Sequence, residues 1–148
     1  MGSKCILVVE DNPDDMELAK IALRASGVGG SPLLARDGQE ALDILLGTEH
    51  REDGGYPAMV LLDLKLPRLD GFAVLRHLRQ EERTRHLPVV VMSTSREERD
   101  VVECYRLGAN SYIQKSLDFE RFLDSIHQVG TYWLSLNVPP WQEPGARP

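Results

Sequence analysis

The sequence predicts an α/β fold, a doubly wound five-stranded parallel sheet with helices on both faces. Short continuous apolar runs alternate with stretches of helical periodicity, five times along the chain. Most of these runs are apolar throughout, as in strands buried on both sides of a parallel sheet and joined by right-handed crossovers.

Cys5-Ile6-Leu7-Val8-Val9 is the first run. Asn12 or Asp11 then caps a helix with Pro13 in its first turn, and Asp14, Asp15 and Glu17 lie where the helix dipole favours carboxylates. Met16, Ala19, Ala22 and Leu23 share its inner face, and Gly27 with Gly29-Gly30 ends it. Pro32-Leu33-Leu34-Ala35 is a weaker strand. Asp37 caps the second helix with Glu40 in capping-box position, and Ala41, Leu42, Leu45 and Leu46 point inward. The polar, Gly-rich stretch from Gly47 to Tyr56 reads as an exposed loop.

Ala58-Met59-Val60-Leu61-Leu62 is the strongest central-strand signal and ends at Asp63. After the turn Leu66-Pro67-Arg68-Leu69-Asp70-Gly71, a third helix presents Phe72, Leu75 and Leu78. Val89-Val90-Val91-Met92 runs into Ser93-Thr94-Ser95, where Ser95 is expected to cap a fourth helix with Glu97 and Glu98 in its first turn and Gly108 at its end. Ser111-Tyr112-Ile113-Gln114 is the fifth strand and closes at Lys115. The last helix starts near Asp118, carries Phe119, Phe122, Leu123, Ile126, Val129 and Trp133 at helical spacing, and stops at Asn137-Val138-Pro139-Pro140.

A chain of 148 residues suits one domain. Its formal charge of −6 fits a soluble protein and argues against non-specific binding to nucleic acid or anionic lipid. No apolar run reaches the roughly 20 residues that span a bilayer, and Met1-Gly2-Ser3-Lys4 has no signal-peptide layout, so the expected compartment is the cytoplasm. Cys5 and Cys104 read as buried, reduced thiols. His50, His77, His86 and His127 are scattered surface histidines, and Arg79, Arg83 and Arg85 read as a solvated helix end.

In open sheets of this kind ligands bind beyond the carboxyl ends of the strands. There the sequence places Glu10 and Asp11, then Asp63, then Ser93 and Thr94, then Lys115. Carboxylates crowded together raise one another's pKa values unless a cation joins them. Mg²⁺ suits such a set, because it binds through few carboxylates and keeps waters. The lysine and hydroxyls would face an incoming anion.

These residues closely resemble the receiver domains of two-component response regulators. The matching segments are Glu10-Asp11 after Ile6-Leu7-Val8-Val9, Leu62-Asp63-Leu64-Lys65-Leu66-Pro67 with Asp70-Gly71, Pro88 through Thr94, and Tyr112-Ile113-Gln114-Lys115. The resemblance implies the flavodoxin-like strand order 2-1-3-4-5. It also implies that Asp63 is the phosphoryl acceptor and that Mg²⁺ is held by Asp11, Asp63, the Lys65 backbone carbonyl and, through water, Glu10. By the same likeness Ser93 hydrogen-bonds the phosphoryl group, Lys115 pairs with its oxygens, and Tyr112 is the switch aromatic. Glu10 departs from the commoner Asp, and Ser116 stands where many receivers have Pro, raising the question of a cis bond after Lys115.

The expected receiver spans 4–136 with an extended last helix, followed by a flexible Pro-rich tail at 137–148 and no output domain. Such a chain is expected to be no enzyme beyond its own phosphorylation and dephosphorylation. Val9-Glu10-Asp11-Asn12-Pro13-Asp14-Asp15, Ser93-Thr94-Ser95, Lys115-Ser116 and Tyr132-Trp133-Leu134 most resemble single-domain receivers that partner bacterial phytochrome histidine kinases. That likeness implies a sensor histidine kinase as partner and a homodimer through the last two helices. A vestigial receiver that only docks on other proteins is one alternative. An aspartyl-nucleophile phosphatase is the other, disfavoured because Lys65 stands where a second acid is needed.

Overall fold

The computed structural model describes residues 5–27, 31–47 and 57–140. The expectations for Met1–Lys4, Gly29-Gly30, the loop beyond Gly47, His50 and the tail beyond Pro140 lie outside the described residues. The chain runs β1 (Ile6–Val9), α1 (Pro13–Ser26), β2 (Leu33–Ala35), α2 (Gly38–Leu46), β3 (Met59–Leu62) and α3 (Gly71–Gln80). It continues with β4 (Val89–Ser93), α4 (Glu98–Arg106), β5 (Ser111–Gln114), α5 (Phe119–Thr131) and a π-helical turn (Tyr132–Leu136). All neighbouring strands are parallel, in the order β2-β1-β3-β4-β5.

The alternation of side chains along each strand divides the core into two layers. Leu7, Val9, Val60, Leu62, Val89 and Val91 face α2, α3 and α4, meeting Ala41, Leu45, Val74, Leu75, Leu78 and Cys104. Ile6, Val8, Met59, Leu61, Val90 and Met92 face α1 and α5, meeting Met16, Ala22, Leu23, Phe122 and Ile126. A fully buried aliphatic side chain such as Leu75 contributes about 1.5–3 kcal/mol relative to exposure, so these layers carry the stability of the sheet.

The register aligns the strand ends. Val9 pairs with Ala35 and Leu62, Leu62 with Val91, and Ser93 with Gln114. The ladder continues one step further, with the Asp63 amide donating to the Val9 carbonyl at 3.1 Å and the Lys115 amide to the Ser93 carbonyl at 2.8 Å. Glu10, Asp63 and Lys115 therefore leave the sheet at one rim.

Asn12, between the two candidates, is the cap of α1; its Oδ1 accepts from the Asp14 and Asp15 amides at 2.9 and 3.1 Å. Asp37 and Asp118 cap α2 and α5 as expected. Both cysteines are buried, and the Lys115–Ser116 bond is trans. The described histidines, His77, His86 and His127, are exposed.

Several expectations are corrected. Ser95 does not cap α4, which begins at Glu98 with Glu97 as an N-cap that makes no side-chain hydrogen bond. The Ser95 hydroxyl instead accepts from the Glu97 amide at 3.2 Å and donates to Asp100 Oδ2 at 2.6 Å, a local turn that competes with helix capping. Phe119 is 41% exposed, because the first turn of α5 overhangs the rim. Trp133, by contrast, is half-buried against the α1–α5 layer, in line with its place on the apolar stripe of the last helix.

Arg79 is no solvated helix end. Its guanidinium donates to the carbonyls of Thr84, Arg85, Leu87 and Gly108 and to Asn110 Oδ1, at 2.8–3.1 Å. It thereby staples the end of α3 to the turn after α4. Gly108 has φ +105°, and a Cβ there would lie 2.9 Å from Arg79 Nε, so both the backbone and the staple require glycine.

Candidate functional site

Each acidic group at the rim is mounted by a strand end. β1 delivers Glu10, 5% exposed, and Asp11, which faces solvent; β3 delivers Asp63, 9% exposed. The Asn12 amide donates to Glu10 Oε2 at 3.2 Å and the Lys65 amide to Asp63 Oδ1 at 3.4 Å. Gly71 backs the loop, its amide donating to the Leu64 carbonyl at 2.8 Å. A Cβ there would lie 2.4 Å from the Asp63 carbonyl oxygen, so the chain passes closely behind Asp63 only as glycine. Carboxylate oxygens of Glu10, Asp11 and Asp63 all come within 4.8 Å of one another.

Lys115 enters from the end of β5. Its ammonium hydrogen-bonds Glu10 Oε1 and lies 3.2 Å from Asp15 Oδ2 and 3.4 Å from Asp63 Oδ2. Carboxylates outnumber the ammonium here, and burial and this excess together shift both groups. Burial pushes the Glu10 carboxyl up to about 7; the Lys115 hydrogen bond opposes this and neighbouring Asp63 adds to it. Burial pulls the Lys115 ammonium down, but the Glu10 hydrogen bond and the charges of Asp63 and Glu10 outweigh it and hold Lys115 above its ordinary value. Lys115 is thus a fixed cation. A buried, charge-crowded rim favours whatever supplies more positive charge.

Ser93, 1% exposed, ends β4, and its hydroxyl accepts from the Ser95 amide at 3.1 Å. Tyr112 on β5 packs against the α2–α4 layer and donates its hydroxyl to the Ser95 carbonyl at 3.0 Å. Both residues therefore meet at Ser95, which also reaches Asp100 of α4. A cavity of about 140 Å³ opens beside the rim, lined by Glu10, Asp15, Asp63, Thr94 and Lys115 together with Leu18, Leu117 and Phe119 on its apolar side.

The structure thus brings together Glu10, Asp11, Asp63 and Lys115 as expected, with Ser93 and Tyr112 linked one strand away. Asp15 and Ser95 take part as well. The sequence marks Asp15 only as a helix-dipole residue, although the third helical position after the β1 rim hints at proximity, and marks Ser95 only as a cap. The donor set suits a hard divalent ion: oxygen ligands only, from three carboxylates whose oxygens converge.

Residues 6–127 match the family model described as the response regulator receiver domain. The chain belongs to the response-regulator receiver family. It is 41% identical over 137 residues to the probable methanogenesis regulatory protein FilR2 of Methanothrix harundinacea, covering 91% of this chain and 86% of that one. It is 34% identical over 131 residues to response regulator Rcp1 of Synechocystis, covering 88% and 89%. The structure of the Mn²⁺-bound form of Rcp1 superimposes with a TM-score of 0.82 over 93% of this chain and 99% of that one, at 33% identity. That of the phosphorylated cyanobacterial phytochrome response regulator RcpA superimposes with a TM-score of 0.84 at 36% identity, covering 93% and 99%.

As a receiver, the chain is a module of two-component signalling, a class that generally signals rather than catalyses turnover and that partners sensor histidine kinases. Receiver domains bind Mg²⁺ or Mn²⁺ at an acidic site, and the group formed by Glu10, Asp11 and Asp63 fits that description. No helix among the described residues is long and apolar enough to cross a membrane.

Proposed function

We propose that this receiver accepts a phosphoryl group from a sensor histidine kinase onto Asp63 and that the sensor is a phytochrome. The acceptor role is carried by the burial of Asp63 at the sheet rim, between an excess of carboxylates and one fixed ammonium, and the phytochrome sensor is supported by the likeness to the phytochrome response regulator RcpA. A carboxylate oxygen of Asp63 attacks phosphorus in line; the new O–P bond forms as the P–N bond of the donor phosphohistidine breaks. The electron pair passes to the imidazole nitrogen, which takes up a proton.

Asp11, Asp63 and the Lys65 carbonyl would hold Mg²⁺, with Glu10 reaching it through water. When bound, the ion offsets charge on the phosphoryl oxygens. Lys115 pairs with those oxygens from the other side. Ser93 supplies a hydroxyl hydrogen bond, and movement of its Oγ toward the phosphoryl group would loosen the bond that it accepts from the Ser95 amide. Ser95 carries that movement to Tyr112 and, through Asp100, to α4. The output is thus a change on the α4–β5–α5 face.

The receiver unit is assigned to 4–136, the π-helical turn extending α5, with 137–148 as tail. The cytoplasm is its proposed compartment, and its acidic charge of −6 supports a protein partner over nucleic acid or membrane. The α4–β5–α5 face is also the proposed homodimer surface, supported by the exposed Val102 and Tyr105 on α4 and Tyr132 and Leu136 beyond α5. Light scattering that gives only monomer, with and without phosphorylation, rejects the dimer.

Phosphorylation is tested by incubation with acetyl phosphate and Mg²⁺ followed by intact mass measurement. One added phosphate is expected, abolished by Asp63→Asn or by chelation; an unmodified mass with every donor and kinase tried leaves a docking module. The 41% identity to FilR2 favours a second reading, the same chemistry serving a sensor other than a phytochrome. Competition among autophosphorylated histidine kinases for transfer to this chain separates the two.

A further inference from the structure

We propose that Asp15 is a positioning residue for phosphoryl acceptance, holding the Lys115 ammonium in a seat from which an incoming phosphoryl group must displace it. The proposal rests on the reading of Asp63 as acceptor.

An ammonium has three N–H donors, and here Glu10, Asp15 and Asp63 all lie within reach of them. A phosphoryl group on Asp63 takes over the N–H that faces that carboxylate, and Lys115 can serve a second phosphoryl oxygen only by releasing Glu10 or Asp15. Solvent exposure decides which one. The Glu10 side chain is 6% exposed and would be left as a buried, uncompensated carboxylate. The Asp15 side chain is 40% exposed and can turn to water at small cost. It also stands outside the group of carboxylates able to share a metal ion, so metal binding does not engage it. Its mounting is firm: the Asp15 amide donates to Asn12 Oδ1 at 3.1 Å in the first turn of α1.

In the unphosphorylated protein Asp15 therefore draws Lys115 off the acceptor and adds negative charge to the lining of the cavity that also contains Asp63. Both effects oppose phosphorylation. For a charge at this exposure, removal should speed acceptance about 1.5- to fivefold.

The test uses the full chain with acetyl phosphate and saturating Mg²⁺, reading the initial rate of Asp63 labelling against donor concentration for wild type, Asp15→Asn, Asp15→Gln and Asp15→Glu. Both neutral variants should label faster, with the gain diminishing at high salt, while Asp15→Glu stays near wild type and the Mg²⁺ affinity moves less than about twofold. Labelling at Asp63 that is unchanged or slower in both neutral variants overturns the proposal, as does Asp15→Glu matching them. If wild type takes no label that Asp63→Asn removes, the acceptor reading itself fails, and the role of Asp15 falls with it.

Discussion

Glu10→Gln should abolish a specific pH dependence of stability in the metal-free protein. The folded Glu10 carboxyl has its pKa raised from 4.5 to about 7, burial being the largest cause. The folded state therefore holds this proton more tightly than the unfolded chain does. The resulting stability is full below the unfolded pKa and is lost as pH rises from 4.5 through about 7, with no further change above that. At ~1.36 kcal/mol per pH unit, the interval amounts to about 3 kcal/mol, credible for a side chain only 6% exposed. The assay is urea denaturation with a chelator present, at several pH values across that interval, for wild type and Glu10→Gln. Subtracting one curve from the other cancels the titration of groups that the two proteins share. The difference should change by about 3 kcal/mol across the interval and reverse its slope with excess Mg²⁺, which selects the ionised carboxylates. A difference that moves by less than about 1 kcal/mol would refute the electrostatic account of the rim.

Arg79→Met removes a guanidinium that satisfies several backbone carbonyls; it should lower stability by about 2–4 kcal/mol in urea with an unchanged slope, and a loss under about 1 kcal/mol would contradict the staple. Ser95→Ala deletes the 2.6 Å hydrogen bond to Asp100 and should speed amide exchange in the first turn of α4 while Asp63 is still phosphorylated; unchanged exchange there argues against Ser95 as the link to α4. Cys104 is 0% exposed, and burial with the charges of Asp100 and Glu103 raises its thiol to about 11. It should react with thiol reagents only at the rate of opening, and rapid labelling in the native state would contradict its placement.

The sheet was legible because strands buried on both faces leave an unmistakable composition: Val60 and Leu61 must both be apolar when both layers are packed. The rim was legible for a related reason, since Asp63 follows directly on such a run and Lys115 closes the half-buried strand at the sheet's edge. Residues whose roles depend on distant partners were not. Arg79 meets Gly108 and Asn110 across 29 and 31 residues, and nothing in the local pattern of a helix end distinguishes it from the exposed Arg85. Asp15 reaches Lys115 across 100 residues, and its position in the first turn of α1 was already accounted for by the dipole. Ser95 misled because a serine ahead of acidic residues signals a cap, whereas its hydroxyl reaches forward to Asp100. Phe119 continues the helical apolar stripe beyond the layer that could cover it.

Everything turns on whether the side chain at 63 becomes an acyl phosphate. Borohydride reduction of the phosphorylated chain, followed by peptide mapping, reads this directly, because hydride converts an aspartyl phosphate to homoserine and leaves free carboxylates untouched. Homoserine at position 63 alone is the expected result. An unreduced Asp63, or the product at another carboxylate, would contradict the account.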